Sequence, residues 1–241
     1  MDWRRIVICS GMGRSGSTWI FNICRELVQM EAQRLGSSSV SLFMNGATLE
    51  QFCSMDAFSV RGGLVIKVHR VGQQSIRLIT AGHAKMLYTF RDPRDCVLSL
   101  LKFRNRSLKD TIRRVEGDLK AHPRFDSEHL LMLQYERSMQ NRLLLIEQIA
   151  RHLGFSIWKD ALSVIDVRTN QDASRKICDN LLSCQTADFM SGDHKVDPAT
   201  HLHHNHILNG QVGGWRSELT RSEQKRVNDH FRPWLTEFGY V

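Results

Sequence analysis

A short apolar run, Arg5-Ile6-Val7-Ile8-Cys9-Ser10, breaks at Gly11-Met12-Gly13-Arg14-Ser15-Gly16-Ser17-Thr18-Trp19, and an apolar-periodic stretch follows (Trp19, Ile20, Ile23, Leu27). This is the pattern of a buried strand, a glycine-rich turn and a helix. Three glycines let the backbone curl so that successive N–H groups point inward. The free amides and positive dipole end of the helix then complete an anion-binding concavity. Ser17 and Thr18 add hydroxyl donors, and Arg14 places a fixed charge in the middle of the loop.

The loop resembles the nucleotide-binding G-x-x-x-x-G-K-[ST], with one departure. Gly11 and Gly16 keep the spacing, but Ser17 stands where the lysine would, and the loop's cation is Arg14. Losing that lysine removes the main contact to the β- and γ-phosphates of a nucleoside triphosphate. The loop therefore points to a phosphate ligand other than a magnesium-bound triphosphate.

Three more short apolar runs follow: Leu64–His69, Lys85–Phe90 and His129–Tyr135. Helical patterns separate them at 73–80, 93–104 and 107–120, with others at 136–152 and 220–235. Continuous apolar runs between helices read as buried parallel strands. The expected fold is α/β: three αβα layers around a central parallel sheet of P-loop type, in one domain over 1–241. Ligands of such sheets sit beyond the carboxyl ends of the strands. There the chain places Gly11–Thr18, then Lys67 and His69, then Arg91, then Tyr135.

Several local readings accompany this plan. Asp92 caps the helix that starts at Pro93, with Ser99 two turns into it. Arg91 and Arg94 also read as helix-start charges paired with Asp92 and Asp95. The charged helix 107–120 is expected to face solvent. Leu143, Leu144, Ile146, Ile149 and Leu153 form an apolar stripe that ends at Gly154. Thr220 and Glu223 make a capping box for the last helix. The stretch 40–63 is mixed, with a short helix at 48–54. From 168 to 214 the pattern degrades into polar residues, which reads as a long loop with a lid or binding segment at 185–214.

The chain has 241 residues and a formal net charge of +8. Its basic residues are spread out and not interleaved with aromatics, which favours a pocket for a multiply charged small anion over a nucleic-acid surface. The cysteines at 9, 24, 53, 96, 178 and 184 form no C-x-x-C or zinc spacing, so they read as free thiols in a reducing compartment. His201, His203, His204 and His206 lack a carboxylate or cysteine at ligand spacing and read as a polar loop, so no metal is expected. Asp2-Trp3-Arg4-Arg5 runs straight into the first strand, leaving no room for a signal peptide, and no run approaches membrane-spanning length. A cytoplasmic protein without membrane or nucleic-acid partners is expected. Its oligomeric state is open, with a homodimer kept in view.

Five separated motifs agree in order with one family. Gly13-Arg14-Ser15-Gly16-Ser17-Thr18-Trp19 resembles the 5′-phosphosulfate loop of sulfotransferases that use 3′-phosphoadenosine 5′-phosphosulfate (PAPS), in particular the cytosolic type. Ile66-Lys67-Val68-His69 resembles the family's Lys-x-His. Tyr88–Leu100 is similar to its 3′-phosphate motif, an Arg and a Ser eight residues apart. Leu133-Gln134-Tyr135-Glu136 resembles its Tyr-Glu-Asp segment, and Gly210-Gln211-Val212-Gly213-Gly214-Trp215-Arg216 its closing loop.

The resemblance implies transfer of a sulfuryl group from PAPS to a hydroxyl or amine of a small-molecule or carbohydrate acceptor. The product nucleotide is 3′-phosphoadenosine 5′-phosphate (PAP), and no metal is needed. It makes His69 the catalytic base and puts Lys67 and Arg14 at the bridging oxygen. Gly13, Arg14, Ser15, Gly16, Ser17 and Thr18 would hold the phosphosulfate and Trp19 would stack on adenine. Arg91 and Ser99 would hold the 3′-phosphate, with Tyr135, Gly210 and Arg216 completing the nucleotide site. Two departures stand out: Arg14 replaces the family's Lys, and Leu208-Asn209-Gly210 replaces Arg-Lys-Gly. Arg216 or Lys195 are the candidates to replace the missing cations. The rival readings are a P-loop small-molecule kinase and a non-catalytic nucleotide- or nucleic-acid-binding module.

Overall fold

The computed structural model describes the chain apart from residues 1–3, 56, 105, 182, 184–187, 190–194, 205–206 and 208–209. In chain order β1 (Arg4–Gly11) leads through α1 (Ser17–Arg34) to β2 (Ser39–Phe43), α2 (Gly46–Met55) and β3 (Gly62–Lys67). Then come α3 (Gln73–Thr80), β4 (Lys85–Phe90), α4 (Pro93–Arg104), α5 (Leu108–Lys120) and β5 (Leu130–Gln134). The five strands form one sheet in the order β2-β3-β1-β4-β5, and every pairing is parallel.

The apolar runs explain the layering. β3 is buried along its whole length, and Ile6 and Ile8 face one core while Val7 and Cys9 face the other. Alternate residues of a strand point to opposite faces, so a strand apolar throughout needs helices on both sides. On one face α2, α3, α4, α5 and the C-terminal α11 (Arg221–Glu237) supply Leu49, Leu78, Val97, Ile112 and Phe231. On the other, α1 and α7 (Arg142–Leu153) supply Phe21, Ile23, Ile146 and Ile149, joined by Ile165 from α8 (Lys159–Thr169).

Four local expectations are corrected. β2 is a fifth strand within the mixed stretch: a short edge strand, Ser-Val-Ser-Leu-Phe, with Val40 exposed. The stretch 136–152 is two helices, α6 (Tyr135–Gln140) and α7, because Asn141 adopts an extended backbone and its side chain accepts from Leu144 N–H to cap the second. The buried stripe of α7 is Leu145, Ile146, Ile149 and Leu153, while Leu143 and Leu144 are exposed. The helix at 107–120 is not simply solvent-facing, since Thr111, Ile112, Val115, Asp118 and Leu119 are buried.

The expected long loop from 168 also contains a helix, α9 (Gln171–Asn180). Asn170 caps it by accepting from Ala173 N–H, and it buries only Ser174 and Cys178. A helix with so little apolar surface leaves no periodic trace in sequence. Beyond it lie a two-stranded antiparallel ribbon, β6 (Asp188–Phe189) and β7 (Lys195–Val196), and the short α10 (Trp215–Glu218). Parts of the expected 185–214 segment, including His206, Leu208 and Asn209, lie outside the described residues, as does Cys184. The other five cysteines are buried free thiols. No described helix is long and apolar enough to cross a membrane.

Candidate active site

The loop after β1 is held from below. Met12 N–H donates to the Thr89 carbonyl at 3.0 Å, and the Ser15 hydroxyl lies 2.6 Å from Thr89 Oγ1 and 2.7 Å from the Met12 carbonyl. A Cβ at Gly11 would stand 2.0 Å from Thr89 Oγ1, so only glycine lets the loop pack this closely on β4. Ser15 is thus spent on the fold and lies off the cavity wall. Gly13 N–H donates to Asp118 Oδ2 of α5 at 3.0 Å. Arg14 sits at φ 69, the left-handed region that L side chains rarely adopt. Gly16, at φ 82, is the N-cap of α1 and makes no side-chain cap, so the first-turn amides of α1 open toward the cavity.

That cavity has a volume of about 690 Å³ and runs along the carboxyl edge of the sheet. Gly13, Arg14, Gly16, Ser17, Thr18, Trp19, Lys67, His69, Arg91, Ser99, Tyr135 and Gly210 all line it, so residues spread over almost two hundred positions share one wall. Arg216 does not. Its guanidinium lies over the Trp215 ring, 4.6 Å from the centroid, behind the closing loop.

Lys67 ends β3 with only 3% of its surface exposed, and its Nζ donates to Ser17 Oγ at 2.7 Å. Burial pushes its pKa down from 10.5 to about 8, against a smaller opposing effect of Cys9. Its charge is therefore poised to be held by an incoming anion. His69, two residues on, turns its ring to the cavity, edge-on to Phe43 at 5.5 Å. Crowding by the protein, together with Lys67, Arg114 and Arg70, lowers it from 6.5 to about 4. The ring is exposed to the cavity, so solvent tempers the desolvation. The three cations act in the same downward direction.

Arg91 and the helix start divide the charges of Arg91-Asp92-Pro93-Arg94-Asp95 by role. Asp92 and Arg94 form a buried pair, Nη2 to Oδ2 at 2.8 Å, and Arg94 also lies over Trp215. Arg91 instead reaches the cavity. It donates to the carbonyls of Gln211 and Arg14, pairs with Asp95 at 3.5 Å and lies 4.4 Å over the Tyr135 ring, and its Nε is buried without a partner. Asp95 accepts from Gly213 N–H at 2.7 Å and Trp215 N–H at 3.1 Å, and Tyr135 Oη donates to the Gly210 carbonyl at 2.9 Å. The closing loop is thereby fastened to α4 and α6. Arg14 Nε donates to Ser99 Oγ at 2.9 Å while its guanidinium lies over Phe103, bridging the phosphate loop and α4.

Sequence reasoning missed the residues that fix these groups. Asp95 and Asp118 each bond backbone more than a hundred residues away, a pairing no local pattern encodes. Thr169 at the end of α8 and Gln171 and Ser174 in the first turn of the unforeseen α9 line the cavity. So do Arg114, His201 and His203. His201 sits at φ 54 in a turn built by Asp197, and Thr200 anchors that turn through its carbonyl to Asn22 of α1 at 3.0 Å. Among the described residues no group of three metal-ligating side chains converges.

A Lys-x-His strand end, a lysine-free glycine-rich loop and an Arg/Ser pair thus share one cavity. The chain belongs to the sulfotransferase family: the sulfotransferase domain model matches residues 4–239. It is 20% identical to mouse and to human sulfotransferase 6B1, over 95% of this chain and 76% of each relative. Among solved structures it resembles mouse sulfotransferase SULT7A1 complexed with PAP, at TM-score 0.63 and 11% identity, covering 96% of this chain and 85% of that one. It also resembles retinol dehydratase in complex with androsterone and inactive cofactor PAP, at TM-score 0.64 and 14% identity, covering 95% of this chain and 80% of that one. The protein is a sulfotransferase, and the kinase and binding-module readings fall away.

Proposed function

We propose that the donor is PAPS and the acceptor a small hydroxylated molecule, with His69 as base. The observation that carries this reading is the convergence of Lys67 and His69 with Arg14, Arg91 and Ser99 on one cavity. The residues fit such a donor: the buried Arg91 Nε without a partner and the uncapped amides of α1 both await an anion. The bound donor supplies a sulfur whose bond to the 5′-phosphate oxygen breaks, the electron pair staying on that oxygen, as a new bond to the acceptor oxygen forms.

The chain's own work is positioning and charge neutralisation. The amides and hydroxyls of Ser17 and Thr18 hold the phosphosulfate oxygens. Arg14 and Lys67 face the bridging oxygen, where negative charge grows. His69, neutral at working pH, takes the acceptor proton. Arg91 and Ser99 hold the 3′-phosphate, which Arg can grip through two parallel hydrogen bonds. Gly210 and Tyr135 close over it, and Trp19 flanks the adenine. With its guanidinium turned onto Trp215 and off the cavity wall, Arg216 does not serve as the replacement for the missing cations. Metal plays no part in this scheme, and a cytoplasmic location suits the free thiols.

The test is calorimetric titration with PAP followed by turnover with labelled PAPS. His69→Ala should lower kcat about a thousand-fold while PAP affinity stays within a few-fold. Retained turnover removes His69 as base, and failure of the parent protein to bind PAP removes the donor assignment.

A further inference from the structure

The sheet order separates the two halves of the cavity. Along the carboxyl edge the wall runs from Tyr135 after β5, past Arg91 after β4 and the loop after β1, to Lys67 and His69 at β3 and Phe43 at β2. The proposed donor occupies the β5–β4–β1 side. What lies beyond His69 therefore belongs to the acceptor, and its composition describes the acceptor's chemistry.

Part of that end is apolar. Phe43 and Leu202 line it, and the His201 ring stands 5.9 Å from Phe43 and edge-on to Phe21 at 5.3 Å. Among the described residues its charged groups are all of one sign. Arg114 of α5 lines the cavity close enough to His69 to depress its protonation, and Arg70 acts on the same ring from the chain after β3. Arg106, between α4 and α5, also lines the cavity. Among the described residues neither Arg70 nor Arg106 has an ion-pair partner. Arg114 has only Asp118, at 3.6 Å, and that carboxylate already accepts the Gly13 N–H. Among the described residues the single carboxylate on the cavity wall is Asp95, which is buried against Arg91 on the donor side.

A neutral apolar acceptor gains nothing from Arg114 and Arg106 and must leave them facing it. Resting on the donor assignment above, we propose that the acceptor is a hydroxy acid: an apolar body with its hydroxyl at His69 and an anionic group, a carboxylate in the simplest case, held by Arg114 with Arg106 on the same cavity wall. A guanidinium matches a carboxylate with two parallel hydrogen bonds.

Two matched pairs test this: para-hydroxyphenylpropanoate against its neutral amide, and a straight-chain omega-hydroxy acid against its amide. Each pair shares one hydroxyl and one shape. At low salt the acid should be sulfated with kcat/KM on the order of ten-fold or more above its amide, and the preference should shrink as ionic strength rises. In Arg114→Gln the acid-to-amide ratio should fall about ten-fold, and in Arg114→Glu it should invert. The salt series on the parent protein stands if a variant fails to fold. An amide used as well as its acid, or a ratio indifferent to salt, overturns the hydroxy-acid assignment alone. So does silence toward both pairs from a protein that binds PAP. A protein that does not bind PAP takes the donor reading down with it.

Discussion

Arg91 and His69 follow the two strands that flank β1, on the same edge of the same sheet, and they are held in opposite ways. Around Arg91 the polar groups interlock: Asp95 latches Gly213 and Trp215, Tyr135 bonds Gly210, and Arg91 itself bonds Gln211 and Arg14. Around His69 there are ring contacts and three cations, and among the described residues its imidazole makes no hydrogen bond. One end is over-determined by hydrogen bonds and suits a ligand that never changes. The other fixes sign and hydrophobicity but few directions, and suits a ligand whose identity can drift. Within one family the donor end should be rebuilt the same way while the acceptor end is retuned.

The comparison breaks most readily at Arg91. Arg91→Ala should weaken PAP binding about a hundred-fold, the loss of a bidentate charge-assisted contact, and leave the acid-to-amide preference of the acceptor untouched. Equal damage at both ends by calorimetry and turnover would mean that the cavity is one unit. Next comes Asp95→Asn. It keeps the shape but leaves a buried arginine without its counter-charge, so stability should fall by about 3 kcal/mol. In a chain of this size that lowers the melting temperature by roughly 6–12 °C. Saturating PAP should recover more of the melting temperature in the variant than in the parent, because its 3′-phosphate supplies the missing charge. A stability loss that PAP does not offset would make the latch purely structural.

Legibility followed the same division. The strands β1, β3, β4 and β5, the loop cradle and the residues at their ends could be read because each strand is a near-continuous apolar run, and glycines mark where backbone must approach backbone. β2 could not, since none of its five residues is buried and Ser39 and Ser41 interrupt its apolar residues. α9 could not, since it buries almost nothing apolar. Arg216 was a reasonable substitute by spacing, yet Trp215 beside it offers a ring to stack on, a choice that depends on side-chain direction. Asp95 and Asp118 were visible as residues, but their partners are fixed only by the tertiary fold. The donor end was thus legible in its contacts with ligand and illegible in its supports. The acceptor end was legible only through His69.

The smallest effect sharpens the comparison through protons. Because kcat/KM reports groups of the free enzyme, its acid limb should follow His69 and its alkaline limb Lys67. His69 works deprotonated and is lowered to about 4, so activity should persist as pH falls past 6.5 and decline only further down. Lys67 works protonated and is lowered to about 8, so kcat/KM for the donor should fall as pH rises through that value. Bound donor favours charged Lys67, hence the alkaline limb of kcat should lie above that of kcat/KM. Arg114→Gln removes one of the cations beside His69 and should raise the acid limb by a fraction of a unit, leaving the alkaline limb in place. His152, beside the Met86 carbonyl at the opposite edge of the sheet, is also lowered to about 4. Between 6.5 and 4 the unfolded chain binds more protons than the native one, so stability falls on acidification. The acid limb is therefore read only where circular dichroism shows the native fold. An acid limb at 6.5 in the parent, unmoved by Arg114→Gln, would mean that the cations of the acceptor end do not act on His69, and the contrast between the two ends would lose its electrostatic basis.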